Sequence, residues 1–182
     1  FLHPAKQPVI HGVNGLSQKS EGSGRASHYI SFTRLATSGA LKLLGKTYQV
    51  GGFSWMDHEF FTHQLESNQA GWDWISVQLD DQSELMLYQI RRKDGSLEPL
   101  SSGTYVDPQG RASHLTSQEF SLQPQGDFWK SAVTGATYPL HWKIAVAKLG
   151  LALDVTTPLR SQELSGTTRL APNYWEGAVR IT

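Results

Sequence analysis

The sequence predicts an all-β, antiparallel fold, an up-and-down barrel or a sandwich, and three observations carry that prediction. Runs rich in aromatic and β-branched residues recur at spacings of about 8 to 14 residues along most of the chain. Turn clusters of Asp, Gly, Pro, Ser and Gln separate them. Only one stretch, EFFTHQLESNQ at 59–69, admits a helical turn or two, and it reads equally well as a loop.

Taken in order, residues 1–27 carry Pro4, Pro8, Gly12, Gly15, Gly22 and Gly24 with a polar run at 17–27, and read as a loop-rich connecting arm with little core. Strands are expected at 28–36, 40–44 and 47–60, the last two joined by a turn at Gly45-Lys46. The next pair, 72–80 and 84–92, is split by Asp80-Asp81-Gln82-Ser83. Lys93-Asp94-Gly95-Ser96 precedes a strand at 103–106, and Asp107-Pro108-Gln109-Gly110 precedes one at 114–122. Pro124-Gln125-Gly126-Asp127 leads to 137–147, followed by 150–156 and 174–181. There is no internal repeat, heptad or low-complexity block.

Composition removes several classes of function. Without cysteine among 182 residues, there is no disulfide framework, thiolate zinc site, iron–sulfur cluster or Cys nucleophile. Sixteen basic against sixteen acidic residues give no basic surface for nucleic acid. No stretch approaches the roughly 20 apolar residues of a membrane span. The chain starts at Phe1, so it is expected to begin inside a longer gene product or after processing. Charged residues make up 18%, below the usual level of about 25%, while six Trp, six Tyr and seven Phe supply ring surface for a ligand.

Side chains alternate along a strand, so the expected strands sort into faces. Trp55, Asp57 and Glu59 share one face of 47–60, with Met56, His58 and Phe60 on the other. His28, Ile30, Phe32 and Arg34 share a face of 28–36; Trp72, Trp74, Ser76 and Gln78 oppose Asp73, Ile75, Val77 and Leu79. Two carboxylates on one face beside a Trp would repel each other if buried, which favours a protonated acid suited to general acid catalysis. The competing reading pairs them with Arg34 or a Lys as a structural ion network at one end of the fold. The i,i+5 spacing of His58 and His63 fits neither strand nor helix pairing, so no metal site is expected. His3, His11, His114 and His141 read as surface or loop residues. There is no nucleophile elbow, P-loop, dinucleotide fingerprint or H-E-x-x-H. Trp72-Asp73-Trp74 and Tyr174-Trp175-Glu176-Gly177 set rings beside carboxylates, either for packing or as a wall that stabilises a cation.

The blocks HYISFTRLATSGAL, GKTYQVGGFSWMDHEF, GWDWISVQLDDQSELMLYQIRRKDGS, TGATYPLHWKI and YWEGAV occur in that order from residue 28 onward. They resemble the lipocalin-like family that groups carotenoid 1,2-hydratase (hydroxyneurosporene synthase), the AttH proteins and proteins labelled predicted secreted hydrolases. The resemblance runs from about residue 9 to the end of the chain. It implies a lipocalin-like antiparallel β-barrel over 28–182, the carboxy-terminal part of a two-barrel protein, with 28–46 supplying final strands of a preceding barrel of the same gene product.

In the hydratase branch of the family, a His-x-Trp element precedes a Tyr-x-Asp element. Here His28 and Asp57 match, while Ile30 stands for the Trp and Trp55 for the Tyr. The implied chemistry is cofactor-independent hydration of a double bond in a hydrophobic isoprenoid or similar substrate. Asp57 would protonate the alkene, Trp55 would shield the cation, His28 would orient the water and Glu59 would share the proton. Ile30, Phe32, Trp72, Trp74, Tyr88, Trp142 and Trp175 are the residues expected to bind the ligand. An Arg34–Asp57 pair would oppose the acid's role. The alternatives are a non-catalytic carrier of a lipid or isoprenoid and a structural half of a larger enzyme. The resemblance also implies a secreted or periplasmic protein.

Overall fold

The computed structural model describes residues 1–61, 65–166 and 173–182, and these form two compact units, Phe1–Ser117 and Gln118–Thr182. The first unit contains β1 (Leu2–Pro4), β2 (Val9–Ile10), β3 (Ser17–Gln18), β4 (Ala26–Leu43), β5 (Lys46–Phe61), β6 (Gln69–Gln78), β7 (Glu84–Arg92), β8 (Ser102–Val106) and β9 (Ala112–Thr116). The second contains β10 (Ser121–Pro124), β11 (Phe128–Lys130), β12 (Thr137–Pro139), β13 (His141–Val146), β14 (Leu151–Thr156), β15 (Glu163–Leu164), β16 (Tyr174–Trp175) and β17 (Arg180–Ile181). A three-residue 3₁₀ turn, Ala147–Leu149, is the sole helical element among the described residues. All strand pairing is antiparallel.

In the first unit, β4 is the spine of one sheet. It pairs with β5 along one edge and with β1, β2 and β3 in succession along the other. The segment 1–27, expected as a connecting arm, thus contributes three short strands and buries Val9, His11 and Ser17. Two strands expected at 28–36 and 40–44 are one, because Thr37, Ser38 and Gly39 pair in register with Gly52, Gly51 and Val50. The ribbon turns at Leu44 and Gly45, both with positive φ (49° and 77°), the hand that matches strand twist in a two-residue hairpin. The second sheet runs β6-β7-β8-β9. Both faces of β7 are buried from Glu84 to Ile90, the expected behaviour of a central strand rich in Leu, Met, Tyr and Ile. Tyr29 of β4 joins Met86, Tyr88 and Ile90 of β7 in a cluster flanked by Trp55, Leu65 and Trp72.

The resemblance implies a closed barrel, and the ladders among the described residues do not close one. No ladder joins β5 to β6 or β9 to the first sheet among the described residues, so the strands make separate antiparallel sheets. A break of register accompanies this. Phe32 pairs with Met56 and Leu35 with Ser54, so Thr33 and Arg34 together oppose the single residue Trp55. Such a bulge re-aims side chains, and here both Thr33 and Arg34 are buried.

In the second unit, β10, β13, β14 and β17 form one sheet, with β11–β12 and β15–β16 as two small hairpins. Leu122, Leu140, Ile144, Val146 and Val155 are its buried apolar residues. The expected strand 137–147 divides at Leu140 between two sheets, and 174–181 divides into β16 and β17. Glu163 gathers hydrogen bonds from Ser131 (2.5 Å), Thr134 (2.5 Å) and Tyr138 (2.8 Å), which hold its carboxyl below the usual range.

Candidate functional site

Residues directly opposite in an antiparallel ladder share a face. Tyr29 stands opposite Glu59, and Ser31 opposite Asp57. The face carrying Trp55, Asp57 and Glu59 is therefore continuous with that of Ser27, Tyr29 and Ser31, the buried side of β4. Asp57 accepts two hydrogen bonds at Oδ1, one from the Ser31 hydroxyl and one from the Trp55 indole N–H at 2.7 Å. Glu59 Oε1 accepts from Ser27 Oγ at 2.5 Å and lies 2.9 Å from Lys19 Nζ. The Lys19 ammonium sits 3.8 Å over the Tyr88 ring, a cation–π contact in a half-buried setting.

Across from this face, β6 presents Trp72 and Trp74 beside Ile90 and Tyr88 of β7. The Trp74 indole donates to the Tyr29 hydroxyl at 2.9 Å, and Gln78 Nε2 donates to Thr33 O at 2.7 Å. The Trp-bearing face of β6 thus points at β4. Trp74 and Asp57 remain exposed, whereas Trp55, Glu59 and Trp72 are half-buried. Carboxylates and indoles thus share a partly exposed face, with Tyr29, Ser31 and Tyr88 buried beneath them. Burial, with the charge of Asp57 second, raises the Tyr29 phenol well above its ordinary value, so it stays a neutral hydroxyl.

Sequence reasoning missed the histidine of this site. His11, expected as a surface or loop residue, follows β2 outside any strand yet is 1% exposed. Its backbone N–H bonds Tyr29 O at 2.9 Å, and the turn that follows uses Gly12 at φ +82°, where a Cβ would lie 2.0 Å from Leu16 O. The His11 ring lies 4.4 Å from the Tyr29 ring. Its Nε2 is 2.7 Å from Ser31 Oγ and its Nδ1 2.8 Å from Thr104 Oγ1. Burial first, then the positive charges of Lys19 and His114, lower its pKa to about 4, so the ring is neutral at ordinary pH. The sequence signal that could have found it is the Gly12-x-x-Gly15 turn, which ties the preceding residue to the sheet edge.

His28 is placed elsewhere. It stands opposite Phe60 on the outer face of the ribbon, exposed, its ring 5.3 Å from Phe60 and its Nδ1–H donating to Gly15 O at 3.1 Å. It lines an open groove of about 560 Å³ with Leu16, Gln18, Phe60 and Phe61. Ile30 and Phe32 share this outer face, opposite His58 and Met56. The structure therefore brings Trp55, Asp57 and Glu59 together and separates His28 from them. Arg34, for its part, bonds Glu84 at 2.5 Å.

Tyr88 is buried, its hydroxyl bonded to Ser102 Oγ at 2.9 Å and donating to Gln18 O at 3.2 Å. Trp142 and Trp175 belong to the second unit. Trp142 is half-buried opposite Val155, and Trp175 donates to Arg160 O at 2.8 Å. His58 is exposed, and His63 lies outside the described residues. His141 bonds Asp154 at 2.8 Å.

An all-β antiparallel scaffold whose first unit gathers carboxylates and indoles on one partly exposed face is the class these observations define. The AttH-like family matches residues 1–182, and the chain belongs to that family. A crystal structure assigned to AttH, from Nitrosomonas europaea, is 36% identical with a TM-score of 0.89, over 100% of this chain and 55% of that one. The crystal structure of kievitone hydratase from Nectria haematococca shares the fold at 17% identity and a TM-score of 0.70, over 91% of this chain and 50% of that one. The chain spans about half the length of each. No curated protein matches it.

Proposed function

We propose that the carboxylate- and indole-bearing face of the first unit adds water to, or removes it from, a carbon–carbon double bond of a hydrophobic small molecule without a cofactor. The observation that supports this most is the joined pair Trp55–Asp57 on one face with Glu59, opposite the Trp74–Tyr29 pair. Asp57, as the carboxylic acid, gives its proton to one alkene carbon, and the ring faces of Trp55 and Trp74 stabilise the cation left on the other. Water attacks that cation, and its surplus proton passes to a carboxylate, Asp57 or Glu59, restoring the acid. Asp57 is exposed, and a bound apolar ligand would exclude solvent from it. Kievitone hydratase, by its name a hydratase, lends this reading its reaction class, and an isoprenoid or prenylated molecule is the substrate we put forward.

A second reading, carriage of such a molecule through an extracytoplasmic space, is favoured by that same exposure of Asp57 and Trp74. A preceding barrel of the same gene product would be the natural partner in either case. The test is to incubate the protein with prenylated and isoprenoid alkenes in heavy-oxygen water. Label in the product, lost in Asp57→Asn, supports hydration; tight binding of unlabelled, unchanged ligand overturns it in favour of carriage.

A further inference from the structure

We propose that His11 is the positioning residue for Asp57, acting through the hydroxyl of Ser31. This deepens the hydration reading, but its physical content can be measured without any substrate. The three groups come from separate stretches of chain: His11 follows β2, Ser31 lies in β4 and Asp57 in β5. His11 and Ser31 are 1% and 0% exposed, so no solvent competes for their hydrogen bonds.

The direction of each bond follows from donor arithmetic. A neutral imidazole has one N–H. Ser31 donates its only proton to Asp57 Oδ1, so toward His11 its oxygen can only accept. His11 must therefore be protonated at Nε2, and its bare Nδ1 accepts from the Thr104 hydroxyl at 2.8 Å. The chain of donation runs Trp55 to Asp57 on one side and Thr104 to His11 to Ser31 to the same carboxylate oxygen on the other. With two donors fixed on Oδ1, a transferable proton has its place on Oδ2. Through Ser31, His11 thus joins Trp55 in holding Oδ1 as the accepting oxygen, which sets the direction in which the acid delivers its proton. Lys19 and His114 face His11 electrostatically, while Tyr29 and Trp55 bond Asp57.

The test uses the 182-residue chain labelled with ¹⁵N in histidine and ¹³C in aspartate carboxyls. In the unsubstituted protein, His11 is expected as the Nε2–H tautomer, with ring nitrogen shifts that show, besides the ring's own protonation near pH 4, a second step shared with the Asp57 carboxyl carbon. Asp57→Asn should abolish that second step. Ser31→Ala should abolish it too, while Ser31→Thr, which keeps the hydroxyl, should restore it and control for loss of fold. An Nδ1–H tautomer, or a second step that persists in Ser31→Ala, overturns the proposal. Where hydration is measurable, Ser31→Ala should lower kcat by about tenfold with KM little changed, short of the ~10²-fold loss on removing the acid itself. Intact coupling without hydration would remove the reading of function and leave the positioning standing.

Discussion

Arg34 Nε lies 2.5 Å from Oε1 of Glu84, and the carboxylate is fully buried. Lys6 reaches the other oxygen of Glu84 at 2.8 Å from the turn after β1. The guanidinium also donates to Leu79 O at 3.1 Å and Ser83 O at 3.4 Å, so both sheets of the first unit are tied at this point. A buried charge that loses its partner is far costlier than a surface pair. Arg34→Ala leaves Glu84 with Lys6 as its one cation and should destabilise the first unit, by less than the ~3–5 kcal/mol of a buried charge left wholly unpaired. Arg34→Ala with Glu84→Leu should recover much of that loss, read as denaturant midpoints of the two variants.

Gly12 holds a conformation that L side chains rarely adopt, and its missing Cβ makes room for the backbone of Leu16 and Ser17. Gly12→Ala should therefore cost about 1–3 kcal/mol from backbone strain alone, with more from the clash. Because His11 is the preceding residue, the variant should also weaken the His11–Ser31 hydrogen bond. Faster hydrogen exchange at the His11 amide, which bonds Tyr29 O, is the measurement that reads this locally.

His11 gives the stability of the unit a pH dependence whose sign is fixed. Its folded pKa, about 4, lies below the ordinary 6.5. Between these values the unfolded chain binds the proton more readily than the folded one, so stability rises with pH across that window. The contribution is fully present above about pH 6.5 and is lost as pH falls toward 4, amounting to about 3 kcal/mol at most. His11→Gln should flatten the difference between urea unfolding free energies at pH 4.5 and pH 7; an unchanged difference would show that the ring is not held neutral.

Much of the scaffold was legible because period-2 patterns and turn chemistry are local. The strands β5 to β8, the face of Trp55, Asp57 and Glu59, and that of Trp72, Trp74 and Gln78 are all set by alternation. What was not legible is the bulge at Thr33 and Arg34, which no Gly or Pro announces. Extending the register of Leu35 and Ser54 without it would put Phe32 opposite Asp57, on the face of His28. One extra residue reverses the face of everything beyond it, so Ser31 and Tyr29 meet the carboxylates while His28 and Ile30 turn outward. Arg34 escaped for the same reason, since strict alternation sends it outward and the bulge sends it to Glu84. His11 was hidden by its setting in a Gly-rich segment, whose burial depends on pairing with β4 far along the chain.

Two histidines therefore compete for the role of partner to Asp57, and they separate cleanly by experiment. The bulge places His28 on the opposite face of the ribbon from the carboxylate, next to Phe60 and Gly15. A group that cannot reach the face of Asp57 cannot orient a water there. His28→Ala should leave hydration within about twofold of the original rate, as expected of a surface change away from the chemistry. Asp57→Asn keeps the shape and the acceptor for Ser31 and Trp55 but has no proton to give, and should lower kcat by roughly 10²-fold or more. His11→Gln should fall between the two, since it leaves the acid in place but loosens Ser31. That order, read as kcat on one substrate, follows from the face each residue occupies; a large loss in His28→Ala with little in His11→Gln would mean that the working site is the outer groove beside Phe60 and Phe61.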